Sequence, residues 1–287
     1  MLSLVFKRQK TGSVVCSSCG SLVGVNDDKC YICGRRNPGL WGFAPLVRRF
    51  GHDVSFVTVV IYGCSVLYAA TLLVAVALGE NIFSGSIFSM LGPGTRTLFL
   101  FGASGSYPVF VYGRWWTILS AGWLHAGILH ILFNMLWVRQ LGPAVADIYG
   151  GARMVIIYTI ACAAGFLLSS FMGAYAPIPF LSGAGLTIGA SAPIFGLLGA
   201  LVHYGKRGGS SAIRSEALMY AVVLFVFGLV MPGIDNAAHA GGFAGGYLAS
   251  LWLDPLRRER TDHFIGAAIC LVLTVLSIAA SIVTVFL

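Results

Sequence analysis

The sequence has 287 residues, of which 57% are hydrophobic and only 10% are charged. A soluble globular domain carries roughly 25% charged residues, so this composition excludes an ordinary soluble protein and indicates a membrane protein. The formal net charge of +8 does not indicate nucleic acid, because Lys and Arg that flank membrane spans account for such an excess. We therefore expect a lipid bilayer as the partner, and no nucleic acid.

The N-terminal region, residues 1–52, is polar and basic and contains four of the seven cysteines. They form two Cys-x-x-Cys pairs, each followed by glycine: Cys16 with Cys19, and Cys30 with Cys33. Four thiolates at such spacing are typical of one tetrahedral zinc ion. Two disulfides are the alternative, which a reducing cytoplasm disfavours. We predict a small cytoplasmic zinc ribbon with one structural Zn²⁺, whose binding partner the sequence does not identify.

The rest of the chain is dominated by apolar runs. A membrane-spanning helix needs about 20 mostly apolar residues. Seven segments fit this requirement: 56–78, 120–139, 154–174, 187–204, 216–231, 237–253 and 264–286. The fifth and sixth are short, so we expect them to depend on packing against neighbouring helices.

The distribution of basic residues predicts the orientation of these spans. With the N-terminus in the cytoplasm, all of the 18 Lys and Arg residues except Arg96 and Arg114 fall on the cytoplasmic side. Such an excess of basic residues is typical of cytoplasmic loops. We expect an integral protein of a bacterial inner membrane, with its N-terminus in the cytoplasm and its C-terminus outside.

Three of the predicted spans contain polar side chains, which are costly enough inside a membrane to indicate function. They are His130 and Asn134 in the second span, Ser191 in the fourth and His239 in the sixth. All three spans run from outside to inside. A rise of about 1.5 Å per residue places His130, Ser191 and His239 at depths of roughly 15, 6 and 3 Å. A later start of the second span would bring His130 nearer the surface, so the three groups are expected to meet in the outer half of the bilayer.

This combination of residues suits nucleophilic catalysis. A serine hydroxyl is a weak nucleophile until a neighbouring base takes its proton, and His239 can be that base for Ser191. The intermediate of acyl transfer needs donors for its oxyanion, and His130, Asn134 and the backbone N–H of Ser191 are candidates. Small residues on spans four and six would let the two helices approach closely. They include Gly199, Gly242 and Gly246.

The polar stretches resemble the rhomboid intramembrane proteases. The family pattern is His-x-x-x-x-His-x-x-x-Asn, Gly-x-Ser-x and Ala-His-x-x-Gly-x-x-x-Gly on the second, fourth and sixth core helices. This sequence matches it at His125, His130, Asn134, Gly189, Ser191, Ala238, His239, Gly242 and Gly246. Gly113-Arg114-Trp115 is similar to the arginine element of the family's first outside loop, where Arg114 is expected to be structural.

The resemblance implies an all-α polytopic membrane protein. A rhomboid-like six-helix core at 53–255 is expected to follow the zinc ribbon and linker at 1–52, and an additional C-terminal transmembrane helix to occupy 256–287. The resemblance further implies a serine endopeptidase with a Ser191–His239 dyad and oxyanion contacts from His130 and Asn134. Catalysis would need no cofactor, and the substrates would be transmembrane proteins.

Two features depart from the pattern of many members. Phe195 stands four residues after the serine, where many members have a tyrosine that stacks on the histidine; phenylalanine can stack but offers no hydroxyl. No carboxylate is placed where it would complete a triad. Asp235, four residues before His239, is expected to be a loop residue rather than an orienting group.

Two other functions are compatible with parts of the sequence. A non-catalytic rhomboid relative that binds or escorts membrane proteins would share the fold, but such relatives typically lack the serine or the histidine. A transporter or channel would explain histidines inside the membrane, but not the Gly-x-Ser-x element, and it would place polar groups at several depths.

Overall fold

The computed structural model describes residues 8–45, 56–83, 90–176 and 178–284. The N-terminal region forms a small hairpin of two antiparallel strands, β1 (Ser13–Val15) and β2 (Leu22–Gly24), in which Val14 lies opposite Val23. A 3-10 turn follows at Leu40–Gly42. The predicted boundary between residues 52 and 53 lies outside the described residues.

The remainder is helical, as the composition predicts. The helices are α1 (Phe56–Ala77), α2 (Thr95–Phe101), α3 (Thr117–Ser120), α4 (Ile128–Tyr149), α5 (Gly151–Tyr175), α6 (Ser191–Arg207), α7 (Ser211–Val230), α8 (Asn236–Trp252) and α9 (Thr261–Val283). Two single turns complete the pattern, a π-type turn at Tyr107–Val111 and a 3-10 turn at Ala121–Trp123.

Four helices of the described residues, α1, α5, α7 and α9, are long and apolar enough to cross a membrane. A fifth span would combine α3 and its following turn with α4, across a bend of 94°. The helices α6 and α8 have only 17 residues each and are packed in the interior, so neighbouring helices rather than lipid cover most of their surface. The protein is an integral membrane protein.

The predicted second span, 120–139, is wrong at both ends. Leu124 has an extended backbone (φ −99°, ψ 153°), which interrupts the helix, and α4 begins only at Ile128 and continues to Tyr149. His130 is therefore the third residue of its helix, and its predicted depth of roughly 15 Å becomes about 3 Å from the helix start. Arg139, expected at the inner end of the span, lies inside α4 with an exposed side chain.

Glycines bring α6 and α8 into backbone contact. A Cβ on Gly246 would lie 2.5 Å from Cα of Gly196, and a Cβ on Gly242 would lie 2.7 Å from the carbonyl carbon of Ala192. Any side chain larger than hydrogen would push the helices apart, because ordinary carbon contacts are about 3.5–4.0 Å. The predicted close approach of spans four and six is confirmed.

The last helix, α9, packs against α5, α3 and α2. Near its end it meets the loop that contains Arg114, whose guanidinium donates to the carbonyls of Phe99 (2.8 Å) and Ser281 (2.5 Å). The Trp116 indole donates to the Ser281 hydroxyl at 3.1 Å. At the opposite end, an ion pair joins Arg35 of the cysteine module to Asp262. Arg114 has the structural role that its place in the loop predicts.

Candidate active site

The candidate catalytic side chains lie at the starts of three alternate helices. His130 is the third residue of α4, Ser191 the first of α6 and His239 the fourth of α8. Because one helix separates each from the next, these three helices begin on the same side of the bundle. Each of the three residues therefore lies within about one turn of the start of its helix, closer to the others than the predicted span boundaries allow.

Gly189 brings His130 close to Ser191. It has φ +124°, which side chains rarely adopt, and its backbone N–H donates to the carbonyl of Ala121 at 2.9 Å. A Cβ at this position would lie 2.7 Å from His130 Nε2 and 3.7 Å from Ser191 Oγ. The imidazole and the hydroxyl therefore border the same small space, which a larger residue at position 189 would fill.

His239 lies against the face of α6 that begins with Ser191. Its ring stacks on Phe195, with centroids 4.2 Å apart and planes 12° from parallel. Phe195 is four residues after Ser191 and therefore shares its helix face. The departure from tyrosine at this position does not remove the stacking, and the buried His239 ring is held one turn from the hydroxyl.

The hydrogen bonds of His130 define which of its nitrogens carries a proton. The backbone N–H of Ala126 donates to His130 Nδ1 at 3.2 Å, so in the neutral ring the proton is on Nε2. Nε2 is the nitrogen that faces the space beside Ser191. His130 therefore presents a donor there, as an oxyanion contact requires.

The side chains of Asn134 and Asp235 hydrogen-bond to residues other than Ser191 and His239. The Asn134 amide donates one N–H to the carbonyl of His130 at 2.8 Å, which leaves its second N–H for another acceptor. Asp235 caps α8 by accepting from the backbone N–H of Ala238 at 3.0 Å, and it also accepts from the Ser169 hydroxyl. Asp235 is thus a helix cap, in agreement with its prediction as a loop residue.

Sequence reasoning missed Asn236, the first residue of α8. Its Oδ1 lies 3.1 Å from His239 Nδ1, and both side chains are buried. Residues three apart share a helix face, so the spacing Asn-x-x-His could have indicated the contact. Asparagine is also common at the start of a helix because its side chain caps free backbone N–H groups, so the spacing alone was weak evidence for this contact.

The four N-terminal cysteines come together as predicted. Their sulfur atoms all lie within 4.8 Å of one another, with 3.8 Å between Cys16 and Cys33 and 3.6 Å between Cys19 and Cys30. A tetrahedral ion with metal–sulfur bonds of about 2.3 Å needs sulfur separations of roughly 3.8 Å, whereas a disulfide needs about 2.05 Å. The four are free thiols that can hold one metal ion.

The surroundings of these thiols differ. Hydrogen bonding with Ser21 lowers the pKa of Cys19 to about 6, whereas burial raises the pKa of Cys16 to about 11. A metal ligand must be a thiolate, so a cation at the centre would be needed to keep Cys16 deprotonated at neutral pH.

Comparisons with known proteins agree with this geometry. A model of the Rhomboid domain matches residues 112–256, which include all of α4 to α8. Rhomboid protease GluP of Bacillus subtilis is 35% identical over 159 residues, covering 54% of this chain and 29% of that protein. RHOMBOID-like protein 4 of Arabidopsis thaliana is 33% identical over 163 residues, covering 55% of this chain and 39% of that protein.

A smaller relative is matched over most of its length. The Bacillus subtilis protein YdcA is 30% identical over 154 residues, which are 52% of this chain and 71% of that protein. The matches to the two larger relatives span less than half of their length, and all of these matches cover little more than half of this chain. Together, the domain match and these relatives show that the chain belongs to the rhomboid family.

Proposed function

We propose that this protein is an intramembrane serine endopeptidase that cleaves peptide bonds in or near transmembrane helices of other membrane proteins. Ser191 is the nucleophile and His239 the base. The observation that carries the proposal is the stacking of His239 on Phe195, one turn from Ser191, whose hydroxyl borders the space that His130 Nε2 faces.

The reaction follows the chemistry of acyl transfer. His239 takes the proton of the Ser191 hydroxyl while its oxygen bonds to the carbonyl carbon of the scissile peptide. The C–N bond breaks as His239 returns that proton to the leaving amine, and an acyl-serine remains. Water, deprotonated by the same histidine, then releases the second product and restores the serine.

The negative charge that develops on the carbonyl oxygen needs donors already in place. His130 Nε2–H, the second N–H of the Asn134 amide and the free backbone N–H groups in the first turn of α6 are the candidates. Because Ser191 begins α6, the positive end of the helix dipole also favours an anion at this position.

The surroundings support a membrane protein as substrate. All three functional helices start on one side of the bundle, and we propose that water reaches the site from that side while an unwound substrate segment enters from lipid. We place the cysteine module, with one structural Zn²⁺, in the cytoplasm and the C-terminus outside, in a bacterial inner membrane. The ribbon (1–52), the six-helix core (53–255) and the last helix (256–287) form three units, and catalysis requires no cofactor.

Cleavage in a reconstituted system tests the proposal. Wild type and Ser191→Ala would be incorporated into liposomes with a panel of single-span proteins. Ser215→Ala is the matched control, since among the described residues that hydroxyl bonds only the Ala212 carbonyl of its own helix. We expect cleavage by wild type and Ser215→Ala, and none by Ser191→Ala. Equal behaviour of wild type and Ser191→Ala across the panel would contradict the proposal. Capture of these proteins without cleavage would favour an escort function.

A further inference from the structure

Asn236 links the histidine of the candidate dyad to a neighbouring helix. Its side chain lies at the start of α8, where Oδ1 is 3.1 Å from His239 Nδ1 and Nδ2 donates to the carbonyl of Phe225 in α7 at 3.3 Å. Asn236 is only 6% exposed, so neither contact competes freely with water.

These two contacts fix the orientation of the amide. A backbone carbonyl can only accept, so the atom that faces Phe225 is the NH₂ group, and the atom that faces His239 is the oxygen. An amide oxygen carries no hydrogen, so His239 Nδ1 must be the donor. The proton of the neutral imidazole is then on Nδ1, and Nε2 retains the lone pair that a general base needs.

The packing around Asn236 leaves the amide little freedom. A Cβ on Gly228 of α7 would lie 3.0 Å from Cγ of Asn236, so the absence of a side chain there makes room for the amide. The adjacent carboxylate is occupied elsewhere, since Asp235 accepts from Ala238 and Ser169. Within the described part of the chain, Asn236 is the side chain that hydrogen-bonds to His239.

We propose that Asn236 is a positioning residue that holds His239 in the tautomer and orientation needed to deprotonate Ser191. This inference rests on the proposed protease function and adds a third, uncharged member behind the dyad. A neutral amide orients the ring but does not balance the charge of an imidazolium. Its removal should therefore cost less than the roughly 10⁴-fold loss known for the aspartate of a serine protease triad.

Two measurements test this role. One is the rate at which a fluorophosphonate probe labels Ser191, and the other is kcat and KM for a cleaved substrate. In Asn236→Ala we expect the labelling rate and kcat to fall about 10–100-fold with KM within about twofold of wild type, because substrate contacts are unchanged. Asn236→Asp keeps an acceptor at Nδ1 but loses the donor to Phe225, so it should recover most of the lost rate. Asp235→Ala is the matched control, since it removes a side-chain cap from the same helix end and keeps the backbone carbonyl that accepts from the His239 N–H at 3.2 Å.

Nuclear magnetic resonance of ¹⁵N-histidine protein tests the same claim without catalysis. The resonances of His239, assigned by comparison with His239→Gln, should show the Nδ1–H tautomer in wild type and a mixture of tautomers in Asn236→Ala. An Nε2–H tautomer in wild type would overturn the inference, as would an Asn236→Ala protein that labels at the wild-type rate or no more slowly than Asp235→Ala. Absence of labelling in wild type would count against the protease function, and the tautomer would still decide the role of Asn236.

Discussion

The backbone contact between α6 and α8 makes a strong prediction for Gly246→Ala. The added Cβ would lie 2.5 Å from both Cα and the carbonyl carbon of Gly196, about 1 Å closer than an ordinary carbon contact. Since the obstructing atoms are backbone, they cannot rotate away, and the two helices must separate. Overpacking of this kind costs about 1–3 kcal/mol, which the better helix propensity of alanine offsets by about 0.5–1 kcal/mol.

The separation of α6 and α8 in Gly246→Ala should affect catalysis more than stability. Ser191 and His239 are carried by the two helices that separate, and a shift of about 1 Å at a catalytic site can lower the rate about 100-fold. We expect Gly246→Ala to lose about 1–2 kcal/mol of unfolding free energy and to cleave substrate about 100-fold more slowly. Thermal unfolding in detergent and initial cleavage rates in liposomes measure the two effects.

Gly266→Ala provides the matched control. This glycine also lies inside a transmembrane helix, α9, but among the described residues its Cβ would meet only the flexible Ile156 side chain, at 3.2 Å. The substitution should leave cleavage unchanged and should not lower the unfolding temperature. If Gly246→Ala were as stable and as active as Gly266→Ala, the close packing of α6 on α8 would not be what brings the dyad together.

Three further substitutions test other parts of the structure. His130→Ala should lower kcat about 10²–10³-fold with little change in KM, because an oxyanion donor acts mainly in the transition state. Phe195→Leu removes a ring stack on His239 worth about 0.5–1.5 kcal/mol and should slow cleavage, whereas Phe195→Tyr should preserve it. Cys30→Ser removes one of four sulfur ligands, so zinc measured by atomic spectroscopy should fall from about one per chain to near zero while the helical circular dichroism persists.

Each of these expectations can fail in a specific way. A His130→Ala protein that lost affinity for substrate but kept kcat would place His130 in binding rather than in oxyanion stabilisation. Equal rates for Phe195→Leu and wild type would show that stacking does not position His239. Full zinc content in Cys30→Ser would show that the ion is held elsewhere.

Much of the architecture could be predicted because membrane helices obey a simple length rule. The first predicted span, 56–78, and the observed α1, Phe56–Ala77, differ by one residue. The start of α6 was harder to predict, because an apolar window does not reveal where a helix begins. The predicted span was 187–204, and the observed helix is Ser191–Arg207. The extended residue Leu124 gave no compositional signal, so the later start of this helix, which makes His130 shallower, could be allowed for but not located.

The motifs of the candidate site could be predicted from the sequence, but its hydrogen bonds could not. The spacing of Gly242 and Gly246 predicted close packing because small residues permit it. The pairing of Asn236 with His239 depends on the amide orientation that Phe225 imposes from another helix, which a linear pattern cannot encode. The anchoring of the Arg114 loop to Ser281 is also a contact between distant segments, and no sequence pattern indicated that the last helix would do more than cross the membrane.

The most direct measurement of the central claim is the position of a fluorophosphonate adduct. Purified protein would be treated with the probe, digested and mapped by mass spectrometry, with His239→Ala treated in parallel. We predict a single stoichiometric adduct on Ser191 in the wild type and its near-complete loss in His239→Ala, because the hydroxyl is a weak nucleophile without its base. An unmodified Ser191, or equal modification of Ser191 in both proteins, would contradict the assignment of Ser191 and His239 as a catalytic dyad.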